Sequence, residues 1–527
     1  MLRVPAGGAQ RRARTGVFQL PAPVLGLNAR DNLMAMDPRY AVAMEDMFPE
    51  ESYIRRRAAA DSFAGGATGN FHSLFEYAKG STSGSLVGFT TSGRMYAGIT
   101  SGSLPAATST TMGTAEATAV NVNSLLVVAF DNNTKVPQQW DGTTLSNVTI
   151  TNGPSGGNAF LEHISLHKNR TYYCERNSLK FWFTATSAIG GDLTGKSFDL
   201  VYICKKGGYL QCTSTWTVDG GNGVDDLFVA VTSEGEVVVY QGSDPSDATA
   251  WSLVGVYEIP KPIGRRCTVK FGGDLLIITE VGIVSMAGLF AEGGIFRGRA
   301  DFSSVIGPAW RSLVNLNTKT YPGWFGVHFP AMRMLVFNVP DTNNSYTGKQ
   351  FIMNTATGAW CRWSVRMGCA AIWQSRMIIG YTTSTYELEV NSAVASPPGK
   401  DDYASSTALT AYFKQAYSTL GVPGRKKLIR RIIPRMGDGD ISVNYHVAMA
   451  ADYQDAAYSS SNVRSVEWWG DRASASDFGT ALLNPQESHG SLGTSFSLRF
   501  ALDQGGTQIA QQNIIYAGAD VHYEVGF

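Results

Sequence analysis

The stretch DDLFVAVTSEGEVVVYQGSDP (225–245) indicates the fold class of this chain, and it continues through WSLVGVYEIPKPIGRRC (251–267) to GGDLLIITEVGIVSMA (272–287). Turn residues or charges separate four short apolar runs within it: 227–231, 237–240, 253–257 and 275–279. Such spacing is typical of antiparallel strands in a meander. Gly235 stands between two β-branched runs, where a tight hairpin needs a positive φ. The stretch therefore predicts a four-stranded sheet that is packed on both faces and lies away from any catalytic pocket.

The same pattern of strand, turn and strand recurs along the chain at irregular spacing. The recurrences are LVGFTTSGRMYAG (86–98), LLVVAFDNNTKVPQQWDG (125–142), HISLHKNRTYYCERNSLKFWF (163–183), WFGVHFPAMRMLVFNVP (324–340) with KQFIMNTATGAWCRW (349–363), and AAIWQSRMIIGYTTSTYELEV (370–390). Sheets of this kind bury their faces by packing against neighbours around a ring. The recurrence predicts an irregular six- or seven-bladed β-propeller over residues 63–396.

The composition also favours a mostly β protein with more than one domain. A chain of 527 residues exceeds one ordinary hydrophobic core. Glycine occurs 57 times and charged residues make up only 16%, which suits strands joined by glycine turns. Lysine plus arginine and aspartate plus glutamate number 43 each, so no net charge draws the chain to nucleic acid or acidic membranes. Any contact with a polyanion must be local.

Residues 1–62 predict an extended N-terminal arm. Five prolines interrupt helix and strand alike, at positions 5, 21, 23, 38 and 49. Only RYAVAMEDMF (39–48) could hold a short helix. The arm carries Met44, Met47 and Phe48, apolar side chains that must be buried on their own domain or on a neighbouring subunit. These three residues are candidate interface residues.

A second domain is predicted beyond the segment PPGKDDYASS (397–406), which is rich in turn formers and charge. Alternating residues there place Ile441, Val443, Tyr445 and Val447 on one face of a strand. The pattern predicts a smaller β-sandwich-like domain over 397–527. Its strand candidates are 408–420, 424–436, 441–450, 495–503 and 519–527.

The segment GGDLTGKS (190–197) satisfies the P-loop pattern through Gly190, Gly195, Lys196 and Ser197. A P-loop binds phosphate because a helix follows it and directs backbone N–H groups at the ligand. Here FDLVYIC (198–204) follows, which predicts a strand. We therefore interpret the motif as a chance match and expect no nucleotide cofactor.

No set of metal ligands stands out in the sequence. His163 and His167 stand four apart in a predicted strand without a third ligand nearby, so ordinary histidines are expected. The loop DGGNGVDD (219–226) lacks the register of a calcium loop, which favours a hydrogen-bonded turn and leaves structural Ca²⁺ as the alternative. The six cysteines show no CxxC spacing and are typical of reduced thiols in a cytoplasmic product.

One cluster of positive charge lies within a predicted strand that also carries Leu428, Ile429, Ile432 and Ile433. This basic cluster is a candidate interface and comprises Arg425, Lys426, Lys427, Arg430, Arg431 and Arg435. A strand with a solvated basic face is one interpretation. Contact with an acidic partner surface or with phosphates is the other, and it predicts salt-sensitive binding.

No motif supports a catalytic role. The turn SDPSDATAW (243–251) is superficially similar to the turn motif of sialidase blades but lacks the glycine that precedes Thr-Trp there. A carboxylate pair for glycoside hydrolysis is defined by its separation, which a sequence does not contain. The sequence has no GxSxG elbow and no Cys/His signature. We therefore expect a protein that is not an enzyme.

No membrane or secretion segment is expected either. The N-terminal residues MLRVPAGGAQRRARTG (1–16) are basic but no apolar region follows them, as a secretory signal would require. No run approaches the about 20 apolar residues of a membrane helix.

Several stretches resemble the tail nozzle proteins of short-tailed bacteriophages, also called tail tubular protein B or packaged-DNA stabilisation proteins. GLNARDNLMAMDPRYAVAMEDMFPEESYIRRR (26–57) is similar to the opening of that family. Residues 205–267, from KKGGYLQC to IGRRC, resemble its most characteristic block. GAW (358–360) and PGRKK (423–427) extend the resemblance. It covers the chain almost from end to end and is weakest at about 100–160 and beyond 450.

The resemblance implies a structural protein of the virion tail, assembled in the host cytoplasm. It implies a homohexamer ring below the portal and its adaptor protein, with tail fibres or spikes attached. A central channel would retain packaged double-stranded DNA and conduct it at ejection without sequence specificity. The arm would clasp a neighbour or the adaptor, and the basic cluster would serve a subunit interface. The alternative is a propeller that binds or cleaves glycans at a phage or cell surface.

Overall fold

The protein is all-β, as its computed structural model shows, and this confirms the predicted fold class at that level. The structure describes every residue except 1–13, 59, 81–83, 132, 134, 220–223, 295, 317–320, 341–347, 389–410, 438–442, 454–463, 467–491, 504–514 and 526–527.

The strands follow one another along the chain with few helices between them. Those before residue 60 are β1 (Arg14–Pro21), β2 (Gly26–Leu27), β3 (Tyr40–Glu45), β4 (Met47–Pro49) and β5 (Ile54–Arg56). The next are β6 (Asp61–Gly65), β7 (Phe71–Tyr77), β8 (Ser85–Thr90), β9 (Met95–Ile99), β10 (Gly102–Ser103), β11 (Ala117–Val122), β12 (Leu125–Phe130), β13 (Gln138–Trp140), β14 (Leu145–Asn147), β15 (Ile150–Thr151), β16 (Leu161–His167), β17 (Arg170–Glu175), β18 (Lys180–Phe183), β19 (Gly191–Asp192) and β20 (Ser197–Asp199).

The middle of the chain continues with β21 (Leu210–Asp219), β22 (Val224–Thr232), β23 (Glu236–Gly242), β24 (Trp251–Glu258), β25 (Thr268–Phe271), β26 (Asp274–Ile278), β27 (Ile283–Ser285), β28 (Phe325–Phe329), β29 (Met334–Pro340), β30 (Gly348–Asn354), β31 (Trp360–Trp363), β32 (Cys369–Trp373), β33 (Arg376–Tyr381) and β34 (Ser384–Leu388). The last strands are β35 (Ala411–Gln415), β36 (Lys427–Gly437), β37 (Val443–Ala451), β38 (Arg464–Val466), β39 (Leu492–Gly493), β40 (Phe496–Asp503) and β41 (Ile515–Val525). The helices are α1 (Met286–Ala291) and α2 (Gly307–Leu316), with 3₁₀ turns at Asn158–Phe160, Gly298–Ala300, Ser304–Ile306 and Pro330–Met332.

Two compact units make up the chain. The large unit comprises residues 60–355 and 363–390, and the small unit comprises 1–59, 356–362 and 391–527. The sequence predicts a propeller over 63–396, close to the span of the large unit. The segments predicted as a separate arm and a separate C-terminal domain belong together in the small unit.

The described part of the large unit contains seven mainly antiparallel groups of strands, which we call sheets and which follow one another in chain order, and one small parallel pair, β15 with β19. Sheet I is β7–β9, sheet II is β11–β14, sheet III is β16–β18 with β20, sheet IV is β21–β24, sheet V is β25–β27, sheet VI is β28–β30 and sheet VII is β32–β34 with β6 and β10. In sheet VII the first strand of the unit, β6, pairs antiparallel with its last strand, β34. This pairing joins the two ends of the large unit.

One strand of each sheet takes part in a closed circuit of contacts. We call it the first strand of its sheet, and in sheet VII it is β32. The strand β7 contacts β11, and the circuit continues through β16, β21, β25, β28 and β32. The strand β32 then contacts β7 again. Each first strand therefore has a neighbour on either side, and together they surround a common centre.

Apolar and aromatic side chains fill the spaces between neighbouring sheets. Phe89 of sheet I and Phe130 of sheet II meet edge to face with their ring centroids 5.5 Å apart. Tyr172 of sheet III and Phe228 of sheet IV lie at 4.6 Å. A separate cluster of buried side chains joins sheets I and VII. A small sheet needs its apolar faces covered to be stable, and these face-to-face contacts cover them.

The stretch that opens the sequence analysis forms sheet IV and part of sheet V. Sheet IV is four-stranded as predicted, and Gly235 turns its central hairpin with a φ of 83°. The fourth strand was assigned wrongly, because the run 275–279 belongs to sheet V and β21 supplies the missing strand. Packing on both faces holds for β22 and β23 but not for the outer strand β24, where Leu253 is 48% exposed.

The small unit consists of two sheets that pack on each other. One has the order β39-β36-β41-β5-β4, with β1 also paired to β41, and the other has the order β31-β2-β3-β35-β40-β37-β38. The ring of Tyr516, from the first sheet, lies 4.9 Å from Phe413 and 5.0 Å from Phe500, which both come from the second. All five predicted strand runs after residue 407 contain strands, although residues 441 and 442 lie outside the described part.

Residues 14–56 form strands of the small unit rather than an extended arm. The strand β1 pairs with β41 along its whole length, and β3 pairs with β35. The segment 39–48 is not a helix, because strand partners from the end of the chain pair with β3 and Asp46 interrupts the segment with a φ of 56°. Arg14 pairs with Val525 and Ala41 pairs with Gln415, and partners at such separations are invisible to local sequence patterns.

Candidate functional site

A cavity of about 610 Å³ occupies the centre of the large unit. The first strands of all seven sheets line it, and hydroxyl groups are common on its wall. Its lining comprises residues 74–76, 117–120, 163–166, 213–215, 265–266, 268–270, 325–328 and 370–372. The cavity has the size of a small-molecule site. It is the place where a function of the large unit would first be sought.

Arg265 crosses to three other sheets from the segment that precedes β25. Its Nε donates to Asp131 Oδ1 at 2.6 Å, at the end of sheet II, and its Nη2 donates to Glu162 Oε2 at 2.7 Å, on sheet III. Its Nη1 donates to the carbonyl oxygens of Leu210 and Gln211 on sheet IV, both at 3.1 Å. The side chain is only 8% exposed. One guanidinium therefore uses its fork of donors to join sheets II, III and IV to sheet V.

Arg266 reaches a different set of sheets. Its Nη1 donates to the carbonyl oxygen of His72 at 3.2 Å, in sheet I, and its Nη2 forms an ion pair with Glu116 just before β11. Glu116 Oε1 also accepts from the backbone N–H of Gly323 at 2.7 Å, just before sheet VI. The guanidinium lies 5.3 Å from the ring centroid of Phe325 in β28. Arg266 therefore joins sheets I, II and VI to sheet V.

We call Arg265, Arg266, Asp131, Glu162 and Glu116 the arginine hub. Burial raises the pKa of Glu162 and of Glu116, while the nearby arginines oppose that rise. Burial also disfavours the charge of Arg265, but Asp131 and Glu162 outweigh it and raise the pKa of Arg265 above its usual range. Such groups are stable in the interior only as partners, because an unpaired buried charge is costly. The charged groups of the hub are therefore paired with one another within the chain.

Two groups beside the hub look chemical but are not activated. Cys174 Sγ lies 3.6 Å from His163 Nδ1, as a catalytic dyad would. Burial, however, lowers the pKa of His163 to about 3 and raises the pKa of Cys174 to about 12. At neutral pH the imidazole is therefore uncharged and the thiol keeps its proton. An active Cys/His pair needs the opposite shifts, with a thiolate beside an imidazolium.

His167 is held as an ordinary buried histidine. Its Nδ1 lies 3.1 Å from Thr215 Oγ1 and its Nε2 lies 3.2 Å from the carbonyl oxygen of Gly242. Burial lowers its pKa to about 4. Across the described part of the chain, no three His, Cys, Asp or Glu side chains are grouped so that they could hold a metal ion. Of the candidate loop 219–226, residues 220–223 lie outside the described residues.

The P-loop-like segment is a turn between two short strands. Its Lys196 donates through Nζ to the carbonyl oxygen of Asp192 at 2.8 Å, and Ser197 begins β20 rather than a helix. A Cβ at Gly190 would lie 2.4 Å from the carbonyl oxygen of Thr149, and Gly195 has a φ of 68°. Close approach and turn geometry therefore account for both glycines without a phosphate. The helix that a P-loop needs does not follow.

The turn similar to a sialidase motif is stabilised by its own side chains. Asp244 Oδ1 accepts from the backbone N–H of Ser246 at 3.1 Å, and Asp247 Oδ1 accepts from that of Thr249 at 2.8 Å. Asp244 also forms an ion pair with Arg170 at 2.5 Å. The two backbone hydrogen bonds stabilise the turn, and the ion pair links sheet IV to sheet III.

The predicted interface residues divide into two groups. Met44, Met47 and Phe48 are at most 1% exposed, so they belong to the core of the small unit, which is the first of the two alternatives that the sequence allowed. Lys427 is also buried, and its Nζ donates to three backbone carbonyls, those of Val422, Arg425 and Thr494. These four assignments are therefore corrected to structural roles.

The rest of the basic cluster lies at or near the surface of the small unit. Arg430 pairs with Glu524 at 2.8 Å, and Arg435 lies 3.8 Å from Asp520. Arg425 and Lys426 are exposed, and Arg431 is half-buried. The strand β36 thus presents a face on which part of the positive charge is already balanced by β41. Exposed pairs of this kind contribute little to stability.

Comparisons with known proteins give no family. No family model and no curated protein matches the chain. Among solved structures, it is similar to the WD40 β-propeller domain of Doa1, with 8% identity and a TM-score of 0.37, over 63% of this chain and 96% of the other. BamB from Moraxella catarrhalis matches with 9% identity and a TM-score of 0.34, over 72% of this chain and 100% of the other. TM-scores below 0.5 do not establish a shared fold, so the description of the architecture depends on the strand pairing.

Arg265 and Arg266 were not singled out from the sequence, although both lie in the quoted IGRRC segment. A possible signal was present, because two adjacent arginines stand between the apolar runs 253–257 and 275–279. Nothing local identified their carboxylate partners, which are 103 to 150 residues away. The described residues also contain no helix long and apolar enough to span a bilayer.

Proposed function

We propose that this chain is a structural subunit of the tail nozzle of a short-tailed bacteriophage. In this proposal it forms a homohexameric ring below the portal and adaptor, retains the packaged DNA and conducts it at ejection. The sequence resemblance described above is the basis of the proposal. The contacts of the residues that carry the resemblance support it.

The observation that carries the proposal is the role of the block 205–267. This block resembles the nozzle family most closely, and its side chains hold sheets together. Glu236 accepts hydrogen bonds from the backbone N–H groups of Lys205 and Lys206 at 2.8 and 2.9 Å. At the other end of the block, Arg265 and Arg266 form the centre of the arginine hub. The distinctive residues of this block contact other parts of the same chain. That role is more typical of a structural protein than of an enzyme or a lectin.

In this proposal the seven sheets are the blades of a seven-bladed β-propeller. The circuit of first strands from β7 to β32 and back supports that count. The antiparallel pairing of β6 with β34 is the kind of contact that closes a propeller, because it completes one blade with strands from both ends of the unit. The two packed sheets of the small unit correspond to the β-sandwich-like domain.

The DNA conduit in this proposal lies on the axis of the hexamer and not inside the propeller. A cavity of about 610 Å³ is comparable to a pocket for a small molecule. The arginine hub also crosses the centre between the sheets. Copies arranged around an axis would instead enclose a separate channel between them. The equal numbers of positive and negative side chains suit a channel that DNA must traverse without being held.

The subunit interface in this proposal includes the exposed part of β36 and the turn before it. Arg425 and Lys426 are exposed there, and Arg430 is 51% exposed although it is paired with Glu524. Charge at the rim of an interface governs register and association rate more than final affinity. Ring assembly should therefore slow as the salt concentration rises.

The test is the oligomeric state together with the location in the particle. Mass photometry of the purified full chain, alone and with a portal–adaptor complex, should show rings of six copies in at least one of the two samples. Electron microscopy of tailed particles that contain the chain should show its density below the portal. A chain that stays monomeric in both samples, or particles without this density at the tail, would refute the proposal.

The same preparation separates the glycan-binding alternative. A lectin or glycosidase would bind or cleave glycans as an isolated chain, which a glycan array and a hydrolysis assay with surface polysaccharide would detect. A nozzle subunit should give no signal above that of a matched protein of equal size and charge.

A further inference from the structure

Two buried thiols face each other beside the arginine hub. Cys212 Sγ and Cys267 Sγ lie 3.4 Å apart, and both side chains are fully buried. The hub holds the two backbone segments in place, because Arg265 donates to the carbonyl oxygen of Gln211 and is separated from Cys267 by Arg266 alone. The pair joins sheet IV to the start of sheet V. The proposed nozzle function makes no use of it.

We propose that Cys212 and Cys267 form a disulfide when the protein meets a peroxide, so that the bond ties sheet IV to sheet V. One thiol reduces hydrogen peroxide to water and becomes a sulfenic acid. The sulfur of the second thiol then attacks the sulfenic sulfur, and a second water leaves. Two thiols and one peroxide thus give one disulfide and two waters.

The geometry requires only a small movement. A disulfide has a sulfur–sulfur distance of about 2.05 Å, so the two atoms, now 3.4 Å apart, must approach by about 1.3 Å. Rotation of the two side chains with slight adjustment of the strands covers that distance. The strands β21 and β25 already contact each other, so no sheet has to separate.

The central cavity lies beside the buried pair, although neither cysteine is part of its lining. Thr213 and Thr268, the residues that follow the two cysteines directly, both line it. Water and peroxide are small enough to enter a cavity of about 610 Å³. The contact with Cys267 and burial raise the pKa of Cys212 well above its usual range, so the reactive thiolate is scarce at neutral pH. The pair should therefore stay reduced in the cytoplasm, and its oxidation should speed up as the pH rises.

The test is oxidation of the native full chain by hydrogen peroxide, followed by thiol blocking in acid and non-reducing peptide mapping. We expect a cross-link between the peptides that contain Cys212 and Cys267, with four of the six thiols still free to alkylate. The thermal midpoint of the oxidised chain should rise by about 5 °C, because the bond closes a loop across 55 residues, and a reductant should reverse the rise.

Two variants control the experiment. Cys212→Ser should abolish the cross-link and the rise in the midpoint, whereas Cys204→Ser, which changes a buried cysteine of the same unit, should leave both unchanged. The proposal is overturned if native wild-type chain keeps six free thiols under peroxide that fully oxidises a reference dithiol peptide. A cross-link through Cys174 instead of Cys267 would overturn it as well. The wild-type mapping decides the matter even if a variant fails to fold.

Discussion

Replacing Arg265 with methionine should destabilise the large unit more than any surface change. The variant keeps the length and apolar stem of the side chain but removes the charge and all five donors. Glu162 loses its closest cation, and its side chain is only 3% exposed. The carbonyl oxygens of Leu210 and Gln211 lose their bonds to the guanidinium. The perturbation therefore leaves a buried carboxylate and two carbonyls without their main partner.

The magnitude follows from which partners are buried. Asp131 is 40% exposed, so water replaces much of what it loses and its ion pair contributes little. Glu162 is buried, and removal of one partner of a buried ion pair costs about 3 to 5 kcal/mol. Arg176 remains 3.0 Å from Glu162 but is 34% exposed, so it compensates only in part. We expect a loss of about 3 to 5 kcal/mol in the free energy of unfolding.

The loss should depend on pH in a defined direction. Burial already raises the pKa of Glu162 while Arg265 opposes the rise, so the variant should raise that pKa further. A carboxyl whose folded pKa exceeds its unfolded pKa makes the native state hold the proton longer, so stability falls as the pH rises through that window. The destabilisation caused by Arg265→Met should therefore be larger at pH 8 than at pH 5.

The assay is urea unfolding of the full chain, followed by near-UV circular dichroism, for wild type, Arg265→Met, Glu162→Gln and the double variant. The double variant should cost less than the sum of the single variants by about 1 to 3 kcal/mol, because no buried charge is left unpaired. Lys180→Met is the matched control, since Lys180 is 41% exposed and pairs with Asp199 at 3.8 Å. A cost below about 1 kcal/mol for Arg265→Met, or strict additivity, would refute the reasoning.

Three further predictions concern other sites. Lys427→Met should cost about 2 to 3 kcal/mol in urea unfolding because three carbonyls lose a charged donor, while Lys426→Met, an exposed neighbour, should change stability by less than about 0.5 kcal/mol. Gly235→Ala should lower the free energy of unfolding by more than about 3 kcal/mol, because its Cβ would lie 2.2 Å from the carbonyl oxygen of Ile259. The control Gly195→Ala has a similar φ but open space around its Cβ, so it should cost about 1 to 2 kcal/mol. Equal shifts in the thermal midpoint would contradict this prediction. Burial lowers the pKa of His163 to about 3, so between about pH 6.5 and pH 3 the unfolded chain binds a proton that the native state does not. Stability should therefore fall as the pH drops through this window. His163→Gln should reduce this pH dependence in unfolding curves measured across pH.

Local patterns in the sequence identified the strands that are buried on both faces. The runs at 227–231 and 237–240 are β-branched and apolar because β22 and β23 are buried on both faces. Their turn was recognisable because only a few residues tolerate a positive φ. The missed strand, LQCTSTWTVD at 210–219, is different, since Thr213, Ser214 and Thr215 in its middle line the central cavity. This strand therefore lacks the apolar signature on which strand prediction depends.

The small unit shows the opposite limit. Its prolines correctly indicated that the first residues are not helical, but they did not indicate a strand. Pro21 ends β1 and Pro49 ends β4, positions where a missing N–H costs little. β4 pairs with the nearby strand β5, but β1 pairs with β41 and β3 pairs with β35, both far along the chain. Met44 is buried in that distant pairing with β35, whereas Met47 and Phe48 pair with Arg56 and Arg55 of their own segment.

The arginine hub depends on two arginines being adjacent in the chain. Both residues lie in the turn that precedes β25, and their guanidinium groups meet different partners. Arg265 accordingly reaches sheets II, III and IV, while Arg266 reaches sheets I and VI and the start of sheet II. A single arginine in this segment would reach one side of the circuit only. A buried ion pair adds little stability over an apolar pair, but its donors accept few alternative geometries. The two adjacent arginines therefore join six of the seven sheets, I to VI, near one centre, which packing of apolar side chains alone specifies less sharply.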